Sequence, residues 1–351
     1  MKRKGKGKKV LKVFLILILL ALVTLFLLYY FGIIGKDEKI VKEEEKLKIL
    51  DLDSKTRPYA VMIDNVGDAK PQSGLNKAYL TYEIVVEGGL TRLMAVFKDV
   101  DVSEIGPVRS ARHYFVDYAL ENDAIFVHHG RSPQALEEIN EYDVDDLEGL
   151  YNPADMFWRD NTRYAPHNSY TSTDGIKKGI KEKAYETESD DWLLLNYSVK
   201  PINLSKKEGA LKADTVYIKF SNSSSTTMEY DKENKVYKRY ENSSLHVDRN
   251  GAAYTTKNII IVCGVRNYTI DSSTSRQEIE NIGNGEGYFI TNGYAVPITW
   301  EKTSTSSKTV YKYKNGKEIK VNDGNTYIEL QPENQDLKIE GNEEESSSST
   351  N

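Results

Sequence analysis

Three hydrophobic patterns follow one another along the chain. The first is an unbroken run, VFLILILLALVTLFLLYYFGIIG, 23 uncharged residues from Val13 to Gly35. At 1.5 Å rise per residue it makes about 34 Å of helix, enough to cross a hydrocarbon core of roughly 30 Å. The second pattern, over 55–200, alternates strand-like and helix-like segments. YAVMID (59–64) reads as a strand, and AYLTYEIVVEGGLTRLMAVF (78–97) reads as two strands around Gly88-Gly89. Apolar positions at helical spacing predict a helix from Pro107 to about Glu121. DAIFVHHG (123–130) is a further strand, and SPQALEEINEY is a helix capped by Ser132 with Pro133 in its first turn. TSTDGIKKGIKEKA (171–184) is a third helix.

The third pattern, over 210–330, has period two. TVYIKF, KVYKRY, NIIIVCGV, GYFITNGYAVPITW and TVYKYKNGKEIKV are rich in Val, Ile, Tyr and Thr, and Asn292-Gly293 and Asn315-Gly316 mark hairpins. The expected fold is a mixed α/β N-terminal ectodomain (55–200) and a mainly-β C-terminal domain (210–330), preceded by one transmembrane helix (13–35). The charged stretch 36–54 reads as a solvated stalk, and 331–351, which ends in GNEEESSSSTN, as a disordered acidic and Ser-rich tail.

Charge orients this plan. The first twelve residues, a basic cytoplasmic tip, hold seven of the 47 Lys and Arg. The remainder carries 40 basic against 53 acidic residues, a net of −13. The positive-inside rule places the tip in the cytoplasm and the bulk of the chain outside a single-pass anchor. A cleaved signal peptide is the alternative, but the run exceeds roughly 7–15 apolar residues and no small-x-small site follows. The acidic body excludes nucleic acid as a partner. The single cysteine, Cys263, lies in an apolar strand and reads as a small hydrophobe.

Candidate chemistry gathers between residues 83 and 168. If Gly88-Gly89 forms a two-residue loop, Val85 opposes Arg92 and Glu83 opposes Met94, so Arg92 shares a face with Glu83 and Glu87. The surplus carboxylate would receive Arg109 or Arg112 from IGPVRSARHY (105–114), where two cations stand at an expected helix start that electrostatically favours anions. That arrangement is either a structural ion network or a site. The loop FWRDNTRYAPHNSY (157–170) adds Arg159, Arg163, His167 and Asn168. His128 and His167 are the candidate acid/base residues. Neither a metal-binding spacing nor a nucleophile elbow is present, and no metal or cofactor is expected.

The stretches RPYAVMIDN, AKPQSGLNKAYLTYEIVVEGGLTRLMAVF, IGPVRSARHY, HHGRSP, FWRD and RYAPHNSYTS resemble the N-terminal domain of the YerB-like lipoproteins, a bacterial family of uncharacterised function. NIIIVCG, GYFITNGYAVPITWEK and GNTYIELQP resemble its C-terminal domain. The resemblance implies an extracytoplasmic, membrane-tethered protein typical of Gram-positive bacteria, with no established activity. No lipobox cysteine follows the apolar run, so the tether here would be the helix. Three functions fit: a protein binding an anionic or glycan envelope ligand through Glu83, Glu87, Arg92, Arg109, Arg112, Arg159, Arg163, His167 and Asn168; a hydrolase or transferase acting on an envelope polymer or its lipid-linked precursor; or a scaffold for other membrane proteins.

Overall fold

The computed structural model describes residues 6–30, 46–151, 155–189 and 193–341. Two units are separate. The first contains one helix, α1 (Lys6–Tyr30), whose Val10–Tyr30 stretch is long and apolar enough to cross a membrane by length and composition. Residues 31–35 of the expected span and 36–45 of the expected stalk lie outside the described residues.

The second unit is a mixed α/β body with a mainly-β C-terminal region. Its elements begin with β1 (Tyr59–Asp64), β2 (Leu80–Val85), β3 (Thr91–Phe97), α2 (His113–Glu121), β4 (Ile125–His128) and α3 (Pro133–Glu141). The short strands β5 (Asp146–Glu148), β6 (Phe157–Arg159) and β7 (Ser169–Thr171) and the helix α4 (Thr173–Lys183) follow. One large sheet runs through both sequence segments. From one edge its strands are 310–313, 294–302, 283–291, 258–265, 326–332, β2, β3, β1, β4 and β5. The strand Thr326–Pro332 is the seam, parallel to Asn258–Val265 on one side and to β2 on the other.

Burial on both faces explains the apolar sequences of the central strands. Every residue of β1, β2 and β3 is buried. One face packs on α2 and α3 through Tyr114, Phe115, Ala119, Ala135 and Ile139. The other packs on α4 through Ile176 and Ile180. A second, six-stranded sheet covers the C-terminal half, where Val216, Ile218, Met228 and Tyr237 meet Ile259, Ile261, Ile290 and Tyr327. Many tyrosines are core residues: Tyr82, Tyr114, Tyr170, Tyr237, Tyr254 and Tyr327 are among the largest fully buried side chains.

Several local expectations hold. Ser132 Oγ accepts from Ala135 N at 3.1 Å, capping α3, and Ser172 caps α4. Asn292 and Gly293 both have positive φ between paired Thr291 and Tyr294, as their hairpin requires.

Others are corrected. Residues 46–54 of the expected stalk pack down: Leu50 is buried, Leu47 and Ile49 lean on the core, and Asp323 accepts from the Lys48 and Ile49 amides at 3.0 Å. The expected tail contains a strand, Leu337–Glu340, paired with Thr215–Lys219, while 342–351 lie outside the described residues. The helix expected from Pro107 begins only at His113. Residues 105–111 are consumed as extended chain, bridging Thr171, Ile63 and Arg131 through Ile105, Val108 and Ala111.

Candidate functional site

The turn between β2 and β3 decides where the charges go. Val86 N donates to Leu90 O at 2.7 Å, so the loop is the three residues Glu87-Gly88-Gly89, with both glycines at positive φ. The expected two-residue loop is therefore corrected by one residue. Glu83 opposes Leu93, and Arg92 opposes Ile84. Because side chains alternate, that single step puts Glu83 and Arg92 on opposite faces of the sheet.

Glu83 faces the second sheet and is sealed. It accepts from Thr91 Oγ1 at 2.7 Å and Thr226 Oγ1 at 2.9 Å, and pairs with Arg239 at 2.7 Å. Glu329 stands directly across the parallel register from Glu83. Burial first, and then the Glu83 charge, push the Glu329 carboxyl well above the carboxylate range, so it is held protonated. Burial pushes Glu83 up as well, but the Arg239 charge and hydrogen bond outweigh it and hold Glu83 ionised. This group belongs to the interior and takes no part in an open site.

Arg92 faces the other way, into an open hollow of about 290 Å³. The hollow lies at the carboxyl end of β1, where 105–111 threads between β1 and β4: Arg109 N donates to Met62 O, and Arg109 O accepts from His129 N. Carboxyl ends of strands are the usual place for ligands in such sheets. Among the described residues its lining holds Arg92, Arg109, Arg112 and Arg276 against Asp64 and Glu87, and also includes Thr91 and Thr274. Four cations face two anions in this lining, and counting Asp271, the partner of Arg276, the local surplus is one positive charge. Thr274 and Arg276 arrive from a separate two-stranded hairpin, 267–279, which pairs only with itself.

Each arginine is differently occupied. Arg112 is the N-cap of α2, beside the helix's positive end, and Glu87 compensates it at 2.5 Å. Burial raises Glu87, but its hydrogen bond and charge contact with Arg112, helped by Arg92, hold it below the ordinary range. Arg109 Nε stands 3.1 Å from Asp64 Oδ2, and Arg276 stands 3.2 Å from Asp271. Arg92 donates to the Ser110 carbonyl at 2.6 Å, and no carboxylate among the described residues lies within ion-pair distance of it. Its side chain is 6% exposed. Burial, then repulsion from Arg112 and also Arg109, pull its pKa down to about 10 against the weaker pull of Asp64 and Glu87.

The remaining candidates divide. His167 Nδ1 donates to Asp64 Oδ2 at 2.7 Å, the carboxylate that also meets Arg109, but His167 does not itself line the hollow. Arg163 is used up on the Asp68, Lys70 and Pro71 carbonyls. Arg159 is tied to Asn168 Oδ1 at 2.8 Å and His129 Nε2 at 2.7 Å, and Asn168 also donates to the Asp160 and Arg163 carbonyls. These three side chains brace the 157–170 loop. His128 is corrected as an acid/base candidate: it is fully buried, with one nitrogen on Gly130 O and the other on Asp146. Asp64 and Arg276 were missed. The Asp that closes the apolar strand YAVMID was a usable signal; a residue from a hairpin 184 positions beyond Arg92 gave none.

Residues 47–186 match the N-terminal domain, and residues 215–328 the C-terminal domain, of a family described as "Protein of unknown function (DUF3048)". A protein of Bacillus subtilis (strain 168) named "Putative lipoprotein YerB" is 32% identical over 299 residues, covering 84% of this chain and 85% of the relative. The chain belongs to the YerB-like family. The crystal structure of YerB from Bacillus subtilis is similar in fold, with a TM-score of 0.72 at 31% identity over 84% of this chain and 99% of that one. The YerB-like match thus spans the large sheet on both sides of its seam. In this member Cys263, the one cysteine, lies in the strand Asn258–Val265 rather than after the apolar run, and burial pushes its thiol up to about 12.

Proposed function

We propose that this YerB-like chain is held at the membrane by α1, N-terminus cytoplasmic, and that its body lies outside and binds an anionic ligand of the cell envelope in the arginine hollow. The basic residues ahead of α1 and the lipoprotein name of the relative support the placement. Arg92 carries the binding reading. A structural ion network pairs each buried cation with an acid. Here a nearly buried guanidinium has a single carbonyl acceptor, two arginine neighbours, and open space in front of it. An anion with several oxygens supplies the missing acceptors, and arginine's planar fork suits carboxylate and phosphate.

The test is calorimetric titration of the full-length chain in detergent with inorganic phosphate and with pyrophosphate. Saturable binding that weakens with salt is expected. Arg276→Ala is the informative variant, because Arg276 sits on a hairpin that pairs with no strand of the main sheet. It should weaken binding by about tenfold, the scale of one charge-assisted hydrogen bond, without lowering the melting temperature. Absence of binding, or affinity unchanged in Arg276→Ala, refutes the reading.

A further inference from the structure

A second hollow, of about 500 Å³, lies where the two family segments meet. Residues from 73–77 and from 101–104 of the N-terminal segment line it on one side, and the turn 248–250 of the C-terminal segment lines it on the other. Junctions of this kind are preferred places for small ligands. It shares no lining residue with the arginine hollow.

Hydrogen bonds across the junction hold its walls. Ser73 Oγ donates to Glu104 Oε1 at 2.6 Å, and the Gly74 amide donates to Asp248 Oδ2 at 2.8 Å. Asn76 Nδ2 donates to the Ala253 carbonyl at 2.9 Å, and its Oδ1 accepts from the Thr255 amide at 3.1 Å. Arg249 N donates to the Gln72 carbonyl at 2.8 Å, and its guanidinium pairs with Asp160 at 2.7 Å. Asn76 and Asp248 are thus spent on the fold. Four other lining residues keep a polar atom with no partner among the described residues: Lys77 Nζ, Ser103 Oγ, Glu104 Oε2 and Asn250 Nδ2. They are two donors, one acceptor and a hydroxyl that is both.

The lining selects a ligand class by elimination. Lys77 and Arg249 interleave with Asp101, Glu104 and Asp248, so a multiply charged ligand of either sign meets like charge there. Val102 is the only apolar side chain of the lining among the described residues, and it is buried, which leaves nothing for an apolar ligand to cover. What remains is an uncharged molecule whose atoms both donate and accept, the property of a hydroxyl. We infer that this second hollow binds a neutral saccharide, independently of the anion-binding reading above. Glu104 Oε2 accepts from its hydroxyls, Lys77 and Asn250 donate to its oxygens, and Ser103 does either. The walls are already fixed by their own bonds, so little ordering opposes binding.

The experiment is calorimetric titration of the full-length chain, in a detergent whose headgroup is not a sugar, with tri-N-acetylchitotriose, cellotriose and maltotriose. At least one is expected to bind saturably, with an affinity that salt leaves unchanged because the ligand carries no charge. Glu104→Gln keeps an oxygen for Ser73 but turns the free acceptor into a donor. It should weaken binding by at least about tenfold, the scale of a hydrogen bond to a charged group. Ser103 is exposed and has no partner to lose, so Ser103→Ala should weaken binding about threefold, the scale of a neutral hydrogen bond, at an unaltered melting temperature. Arg276→Ala, in the other hollow, should leave saccharide binding as it is. If no trisaccharide binds, if affinity in Glu104→Gln and Ser103→Ala equals that of wild type, or if Arg276→Ala removes it, the inference is overturned.

Discussion

Replacing Glu87 by Gln separates a ligand site from an ion network, because the two give opposite signs. Glu87 neutralises Arg112 at 2.5 Å, with side chains 21% and 15% exposed. Removing its charge raises the positive surplus at the hollow by one. A unit charge about 6 Å from a bound anion is worth roughly 3 kcal/mol at an effective dielectric constant near 20. The hollow is open to water, so screening reduces this to about 1 kcal/mol. Phosphate should therefore bind about fivefold tighter to Glu87→Gln than to wild type, with the difference shrinking as salt is added. Folding stability should move the other way, falling by about 1 kcal/mol as Arg112 loses its partner beside the helix end. Titration calorimetry and a melting curve on the same sample read both. Lower stability with unchanged or weaker phosphate binding would show that the arginines serve only one another.

Two further outcomes follow from the interior. Arg239→Met strands Glu83, buried beside it at 2.7 Å, while Glu241, 3.2 Å from Arg239, keeps its second partner Lys70. A loss of about 3–5 kcal/mol is expected in chemical denaturation, and a loss below 1 kcal/mol would mean that Glu83 simply takes up a proton. Between α2 and α3, burial and the Asp117 charge raise Glu138 to about 9, with Glu141 and Glu278 adding to it, and burial raises Asp117 as well. A carboxyl raised on folding holds more protons in the native state, so its stabilisation is full at acid pH and declines as pH rises from the unfolded value near 4 towards 9. Glu138→Gln should raise the melting temperature at pH 8 and leave it unchanged at pH 4; an equal shift at both would refute the raised Glu138 carboxyl.

The elements were readable where one local rule governs them. The Ser132 and Ser172 caps, the Asn292-Gly293 turn and the two-sided burial of YAVMID all follow from neighbours in sequence. The site was readable only as a list of arginines. A turn of three residues rather than two sends Glu83 and Arg92 to opposite faces, and Gly88-Gly89 is compatible with either length. Residues 107–111 continue the helical spacing of Val108 to Ala119, yet the segment 105–111 supplies bridging bonds to three other segments, and those bonds win over local preference. Leu337 and Ile339 alternate like any strand but sit among charges that resemble a solvated tail. Arg276 meets the other site residues only in the assembled fold, so no spacing along the chain could announce it.

The seam strand Thr326–Pro332 lies between Asn258–Val265 and β2, although nearly the whole chain is synthesised before it. Until residue 332 has emerged, β2 and Asn258–Val265 each present a bare row of amides and carbonyls, the template on which unfinished chains adhere to one another. The first 200 residues thus wait, half-formed, for a closing piece more than 100 residues away. Shielding that interval falls to chaperones, and loss of even the last few dozen residues would unmake the beginning of the body as surely as its end.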